Sequence, residues 1–257
     1  MTWFLRLFWT SWKFNVRNLT ASLFFVLISV LQPIIFASIA FFMHEAGARQ
    51  GSLLYVALGA GLMGMWSATL FGSGGAIQWQ RWQGTLELLV GAPPRFIASM
   101  LPLTLATASI GLYSVVATLL WGRLLFDVPL HLEHPLAFAV ALPATTVALG
   151  LLGLVLASTF VLYRHASAFS NLLEYPVWLV SGLLVPVALL PGWVEPISWV
   201  LAPTWGVRAV RESALGGDPL PAIGMCFLLS VIYLAIGFVS MANFERLARS
   251  RATLSLT

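Results

Sequence analysis

The sequence is short of charge. Asp, Glu, Lys and Arg make up only 9% of its 257 residues, whereas 60% are hydrophobic and the mean hydropathy is +0.92. Soluble domains usually carry about 25% charged residues, and so few polar side chains cannot coat a globule of this size in water. The composition therefore excludes a soluble globular protein and predicts a membrane protein.

Several reactive residue types are also scarce. The single cysteine, Cys226, excludes an intrachain disulfide and a cysteine-based metal cluster. The single lysine, Lys13, has no glycine near it, so the chain lacks the loop Gly-x-x-x-x-Gly-Lys-Ser/Thr that holds ATP phosphates. His131 and His134 share one loop without a convincing third ligand, which favours a solvated loop over a metal site. We expect no enzyme, no metal and no cofactor bound by this chain.

Uncharged runs are the main feature that is present. Six of them, each 20 to 28 residues long, contain no Asp, Glu, Lys or Arg. About 20 apolar residues suffice for a helix to cross a hydrocarbon core of about 30 Å, and a charge at its centre is costly. The sequence predicts an all-α membrane protein, one domain over residues 1–257, with six transmembrane helices at about 21–43, 52–77, 96–122, 136–163, 172–190 and 221–243.

The basic residues predict an orientation. With both termini in the cytoplasm, nine cations and three acids lie inside and four cations and six acids lie outside, so the net charge is +6 inside and −2 outside. This asymmetry follows the positive-inside rule. The overall charge of +4 thus indicates topology, and nucleic acid is excluded as a partner.

Residues 2–18, before the first span, form a separate element. On a helix, Arg6, Lys13 and Arg17 fall on one narrow stripe, and aromatic and aliphatic residues cover most of the remaining circumference. This pattern predicts a helix in the membrane interface. It is either a plain anchor for the first span or an elbow that transmits motion.

The inner connection at 78–95 is the most polar short segment. Thr85 to Val90 is predicted to be helical, with Pro93 and Pro94 ending the helix before the third span. A short amphipathic helix of this kind fits a groove on a partner. The alternative is a solvated loop with Trp79 and Trp82 in the aromatic belt.

The outer segment after the fifth span contains an apolar stretch, Ile197–Val207, that is too short to cross a membrane and contains Pro203. It is either a re-entrant or interfacial segment or a hydrophobic loop over the helix ends. Glu174 is predicted at the cytoplasmic edge of the fifth span, reaching the interface. The spans then hold no chain of buried acids and bases, and any transport must draw its energy from elsewhere.

Two motifs resemble the type-2 permease family of ATP-binding-cassette exporters. That family's inner connection typically reads Glu-Arg-Glu-Arg-Gly-Thr-Leu-Glu, then leucines and a proline. Arg81, Gly84, Thr85, Leu86, Glu87, Leu89 and Pro93 match, while Gln80, Trp82 and Gln83 depart from the pattern. The second motif is matched by Pro176, Ser181-Gly182, Pro186, Leu190-Pro191-Gly192-Trp193, Pro203-Thr204 and Arg211.

The resemblance implies a permease subunit in the cell membrane, the inner membrane of a bacterium, that exports an amphipathic drug-like compound, a lipid or a lipid-linked glycan. ATP and magnesium would bind to two cytoplasmic ATPase subunits. A second permease chain, identical or a sister, would complete the pump within the membrane lipid. The alternative is a non-transporting membrane scaffold, sensor or immunity protein with the same topology.

The resemblance also assigns roles to residues. A coupling helix would dock on the ATPase through Gln80, Arg81, Gly84, Thr85, Glu87, Leu88 and Leu89. A re-entrant external hairpin over 191–207 would include Pro191, Trp193, Trp199, Pro203 and Trp205. The second and fifth spans would line the path, with Met63, Trp66, Phe71, Trp178, Ser181, Leu183 and Pro186 as candidates. For each path residue the alternative is ordinary packing against helices or lipid.

Overall fold

The computed structural model describes residues 2–45, 47, 52–92, 95–160 and 166–251. These residues form helices and turns, and they contain no β-strand, which confirms the predicted all-α class. Three helices come first: α1 (Thr2–Ala21), α2 (Leu23–Glu45) and α3 (Leu53–Trp82). The rest are α4 (Leu86–Gly91), α5 (Ile97–Ile110), α6 (Leu112–Leu125), α7 (Pro135–Phe160), α8 (Ala166–Val180), α9 (Glu195–Trp199), α10 (Ala202–Leu215) and α11 (Pro219–Arg251).

Helix α3 lies at the centre of the bundle. It contacts α2, α5, α6, α7, α8 and α10, and every residue from Val56 to Leu70 is buried. Because its apolar residues surround the whole helix rather than one stripe, α3 has no face suited to water or lipid. Helix α7 joins this core to α10 and α11.

The bundle has two ends. At the outer end, the last turns of α2 meet the residue that follows α6, where the ring centroids of Phe41 and Phe126 are 4.6 Å apart. At the inner end, the α3–α4 turn lies beside the far part of α11. The names outer end and inner end are used for these two regions below.

Four helical segments among the described residues are long and apolar enough to cross a membrane: Leu53–Gly75, Ile97–Leu125, Pro135–Thr159 and Pro219–Arg246. They correspond to the second, third, fourth and sixth predicted spans, although residues 161–163 of the fourth lie outside the described part. A shorter apolar helix, Ser29–Met43, lies within the first predicted span. The finding shows a multi-pass membrane protein, and the count of six stays a prediction.

The fifth predicted span, 172–190, is helical only as far as Val180. The 15 residues of α8 extend about 22 Å at 1.5 Å per residue. Gly182, with a φ of +80°, and Pro186 follow, and single-turn 3₁₀ helices lie at Val187–Leu189 and Gly192–Val194. An absence of charge does not reveal such breaks, because glycine and proline end a helix without adding polarity.

The outer segment folds back into the bundle. The amide of Ala202, at the start of α10, donates a hydrogen bond of 3.2 Å to the hydroxyl of Tyr233 on α11. Tyr233 lies about 20 Å along the axis of α11 from Pro219. The other end of α10 is at the outer end, where its Ser213 carbonyl accepts from the amide of His134 at 3.0 Å. The chain thus enters between helices and returns to the end from which it came.

Helix α1 packs along α5. Residues at helical spacing, including Leu7, Phe8 and Trp12, form its half-buried face. Arg6, Lys13 and Arg17 are exposed, as the amphipathic pattern predicts.

Candidate functional site

The inner turn closes the connection between α3 and α4. Gln83 and Gly84 make the turn, and Gly84 has a φ of +67°, which favours glycine because a Cβ is strained there. The sequence predicted a helix from Thr85 to Val90, and α4 lies at Leu86–Gly91. The predicted segment is therefore a short helix separated from α3 by a turn.

Thr85 ties the turn to the end of α3. Its amide donates to the carbonyl of Gln80 at 2.9 Å, and its hydroxyl donates to the side-chain carbonyl oxygen of Gln80. The hydroxyl accepts no hydrogen bond from the amides of α4, so Thr85 does not cap α4. The hydrogen bonds to Gln80 tie the start of α4 to the last turn of α3.

Two adjacent leucines of α4 have different environments. Leu89 is half-buried and packs against the core, while the side chain of Leu88 is 73% exposed. Leu89 therefore anchors α4 to the bundle, and Leu88 makes no such contact with the core. The side chains of Arg81 and Glu87 and the whole of Pro93 lie outside the described part of the chain.

The predicted path residues are mostly interior. Met63, Trp66, Trp178, Ser181 and Leu183 are buried, Phe71 is half-buried and Pro186 is exposed. These buried side chains lie where α3 packs against the end of α8 within one chain. The buried members of this set are therefore not on an open surface of the chain.

A different set of α8 residues is exposed. Leu172, Tyr175, Pro176 and Leu179, at helical spacing, form an apolar stripe. The neighbouring helix α2 has its own stripe, formed by Leu27, Leu31, Ile35, Ile39 and Phe42. The edge-on contact of Phe36 with Trp178, centroids 5.1 Å apart, joins the two helices. We call these two stripes the α2/α8 face.

Glu174 is buried and does not reach the interface, contrary to the prediction. It is 3% exposed, accepts a hydrogen bond of 2.6 Å from the Ser67 hydroxyl on α3 and lies 3.4 Å from the Gln32 amide nitrogen on α2. The position lies about 12 Å along α8 from its start, too far for a side chain that points inward between helices to return to water. The carboxylate thus links three helices inside the bundle.

Arg211 is the second charged side chain buried in the described part. It is 8% exposed and donates to the Gly182 carbonyl at 2.8 Å, the Leu183 carbonyl at 3.1 Å and the Tyr55 hydroxyl at 2.9 Å. Its guanidinium lies 3.6 Å from the centroid of the Tyr55 ring. The fork shape of arginine suits these divergent acceptors, which belong to α3 and to the segment after α8.

Glycine at position 59 makes room for Arg211. A Cβ there would lie 2.5 Å from Nη2 of Arg211, closer than atoms approach. Little in the sequence indicated this role, since Arg211 matched the end of the second family motif but nothing there pointed to its burial. One signal was available: Gly206, Ala209, Ser213 and Ala214 are small, and small residues around a helix indicate close packing.

A cavity of about 670 Å³ lies beside Arg211 at the outer end. Tyr55, Trp199 and Trp205 contribute rings, and Arg208 and Arg211 contribute cations. Of the predicted external residues, Trp205 and Pro203 are buried and Pro191, Trp193 and Trp199 are exposed. The Trp205 indole donates to the Trp199 carbonyl at 2.9 Å, which fixes the turn between α9 and α10.

The loop before α7 that carries both histidines is tied to α10 by its backbone. The amide of Glu133 donates to the Ala214 carbonyl at 3.2 Å, and the amide of His134 donates to the Ser213 carbonyl. Among the described residues, no three side chains of His, Cys, Asp or Glu come together as metal ligands.

The comparison with protein families agrees with the motifs. A family model described as ABC-2 type transporter matches residues 3–215, which is most of the chain and includes every element from α1 to α10. Among curated proteins, none matches the chain.

Proposed function

Because the chain belongs to the ABC-2 type transporter family, we propose that it is the permease subunit of an ATP-driven exporter. Its cargo is an amphipathic drug-like compound, a lipid or a lipid-linked glycan, which leaves the cytoplasm. ATP and magnesium are bound by a separate ATPase, present in two copies. This chain supplies the membrane passage and binds no cofactor.

One observation supports this function most: α3 runs unbroken past all three polar contacts described above. Tyr55 near its outer end meets Arg211, Ser67 in its middle meets Glu174, and Gln80 near its inner end holds Thr85. The helix of 30 residues is about 45 Å long at 1.5 Å per residue. A packed helix of this kind moves as a unit, so a push on α4 reaches the outer cavity.

In this proposal, the ATPase docks on α4. The inner end faces the cytoplasm because it carries most of the cations of the sequence. Leu88 offers an exposed apolar contact, and the Gly84 turn with its Thr85–Gln80 bonds transmits the force into α3. ATP-driven closure of the two ATPase subunits then shifts α3 relative to α8.

A second permease chain, identical or a sister, covers the α2/α8 face. This face is apolar and shares α8 with Glu174 and Trp178, so its movement is linked to that of α3. Cargo passes between the two chains and leaves near the outer cavity, under the re-entrant hairpin of α9 and α10. The apolar stripes favour a cargo with a large apolar part.

Reconstitution tests this function. The chain is purified from its native membrane with its associated subunits and placed in liposomes that contain fluorescent amphiphiles and lipids. We expect an ATPase to accompany the chain and ATP to drive one-directional transfer of a probe, while vanadate or an ATPase variant without its catalytic glutamate stops it. Recovery of the chain without any ATPase, or transfer that ignores ATP, would contradict the proposal and favour a scaffold, sensor or immunity protein.

A further inference from the structure

A second, larger cavity lies at the inner end, away from α3. It has a volume of about 900 Å³ and opens between the start of α1, the start of α5 and the middle of α11. Its lining is apolar and includes Trp3, Phe4, Leu101, Leu234 and Phe238. We call it the α1/α11 groove. None of the residues assigned to coupling or to the path lines it.

The groove has cations at one end. Arg95 lines it, and its guanidinium lies 5.9 Å from the centroid of the Phe238 ring. An adjoining cavity of about 370 Å³ shares Arg95, Ile97 and Phe238 with the groove and adds Arg246. Both arginines are exposed. An apolar trough therefore ends at two guanidinium groups.

The acid beside these arginines already accepts a hydrogen bond from the backbone. Glu245 lines the smaller cavity, but its carboxylate accepts a hydrogen bond of 3.1 Å from the amide of Phe96, at the start of α5. A carboxylate at the start of a helix accepts from its unpaired amides and interacts favourably with the positive end of the helix dipole. Two guanidinium groups against one carboxylate leave this end of the groove with a net positive charge.

The start of α1 places one end of the groove near the lipid headgroups. Helix α1, which forms one wall, has an aromatic and aliphatic body and an exposed stripe of Arg6, Lys13 and Arg17, the pattern of a helix at the membrane interface. Val231 and Val239 of α11, exposed apolar residues on the opposite wall, line the same space. The groove is therefore open to acyl chains and its positively charged end to headgroups.

We propose that the α1/α11 groove binds one anionic phospholipid of the surrounding leaflet, with its phosphate at Arg95 and Arg246 and an acyl chain along Phe238 and Trp3. A second copy of this chain is a poorer occupant. The acids that the sequence places at this end are Glu87, Glu174 and Glu245, of which Glu174 is buried and Glu245 is engaged, so a copy has little with which to meet two arginines. The proposal needs a membrane but does not depend on export.

Quenching by brominated lipids tests the proposal, since Trp3 lines the groove. The purified protein, with its accompanying subunits and without ATP, is placed in nanodiscs of phosphatidylcholine that contain increasing fractions of acyl-brominated phosphatidylglycerol. The difference between wild type and Trp3→Phe isolates the signal of Trp3. We expect half-quenching at a much lower fraction of the brominated anionic lipid than of brominated phosphatidylcholine.

Variants separate the two parts of the site. Arg95→Gln with Arg246→Gln should raise the half-quenching fraction of the anionic lipid by roughly 25-fold, about fivefold for each cation, the equivalent of about 1 kcal/mol each. The matched control, Arg6→Gln with Arg17→Gln, removes two exposed cations of α1 that do not line the groove and should change it less than about threefold. Ala235→Trp, which fills the groove and keeps both arginines, should abolish Trp3 quenching, measured as its difference from the double variant Ala235→Trp with Trp3→Phe.

Three results would overturn the proposal. They are equal quenching by both brominated lipids, an equal effect of the two arginine pairs, and quenching of Trp3 that survives Ala235→Trp. Protection of Trp3 from every lipid, with a cross-link from a cysteine at position 235 to another copy, would instead identify the occupant as a second chain. Thermal unfolding of each variant checks its fold, and the arginine pairs remain informative if Ala235→Trp does not fold.

Discussion

Arg211 and Glu174 show how a membrane protein keeps a few charges in its interior. Each is buried, and each bonds to groups on other elements: Arg211 to Tyr55 and two carbonyls after α8, and Glu174 to Ser67. A buried charge is costly unless it is hydrogen-bonded. These two side chains therefore hold α3 to α8 and α10 at two depths, and such residues in membranes are usually functional.

Replacing Arg211 tests the outer contact. Arg211→Gln loses the forked hydrogen bonds to Gly182 and Leu183 and should lower the free energy of unfolding by about 2–3 kcal/mol, since hydrogen bonds to charged groups contribute about 1.5–3 kcal/mol. Unfolding by a graded denaturing detergent measures the change.

The matched control is Arg208→Gln on the same helix. Arg208 pairs with Glu212 at 2.7 Å, but its side chain is 55% exposed, and exposed pairs contribute about 0–1 kcal/mol. If the two variants lose the same stability, Arg211 does not hold the outer end together.

Burial of these charges was not predictable from the sequence. Glu174 follows Leu172 and Leu173 near a predicted span end, where a side chain reaches water as easily as it turns inward. Ser67 and Gln32, which hold the carboxylate inside the bundle, lie 107 and 142 residues away in sequence. A single sequence does not reveal such pairings. The turn at Gly84 was predictable because its determinants, glycine followed by threonine and leucines, are local.

The inner turn is the element on which the proposed transmission of force from the ATPase depends. A left-handed φ at Gly84 costs an L-residue roughly 1–2 kcal/mol, so Gly84→Ala should open the turn and weaken the attachment of α4 to α3. We expect export per ATP hydrolysed to fall severalfold while the protein still inserts and retains its ATPase. Parallel assays of hydrolysis and of probe transfer measure this ratio.

Gly91 provides the control for Gly84. It ends α4, a Cβ there meets nothing within 4 Å, and its φ is not in the left-handed region. Gly91→Ala should keep the ratio of export to hydrolysis at the wild-type value. An unchanged ratio in Gly84→Ala would refute the role of the turn.

Element boundaries followed the sequence where apolar length alone decides. The long helices α3, α7 and α11 cover the second, fourth and sixth predicted spans. The fifth differs because Gly182 and Pro186 end α8 early. Apolar length also did not reveal that α10, with Arg208, Arg211 and Glu212, enters the bundle, since its burial depends on small residues that let α3, α7 and α11 approach.

The whole molecule is a bundle with different chemistry at its two ends. The inner end has the basic helix α1, the α3–α4 turn and the α1/α11 groove. The outer end has Arg211, the aromatic cavity and the returning hairpin of α9 and α10. Helix α3 joins the two, and the proposed function requires such a link because it places the energy source on another protein.

Docking of a cytoplasmic ATPase on α4, as proposed above, can be detected by site-directed cross-linking. A cysteine at Leu88 is compared with one at Leu124, which is 78% exposed at the outer end. The native Cys226 is buried, so the background is low. In intact membranes, we expect a thiol-directed photocross-linker to join position 88, and not position 124, to an ATPase subunit. An ATPase captured equally from both positions, or from neither, would contradict the account.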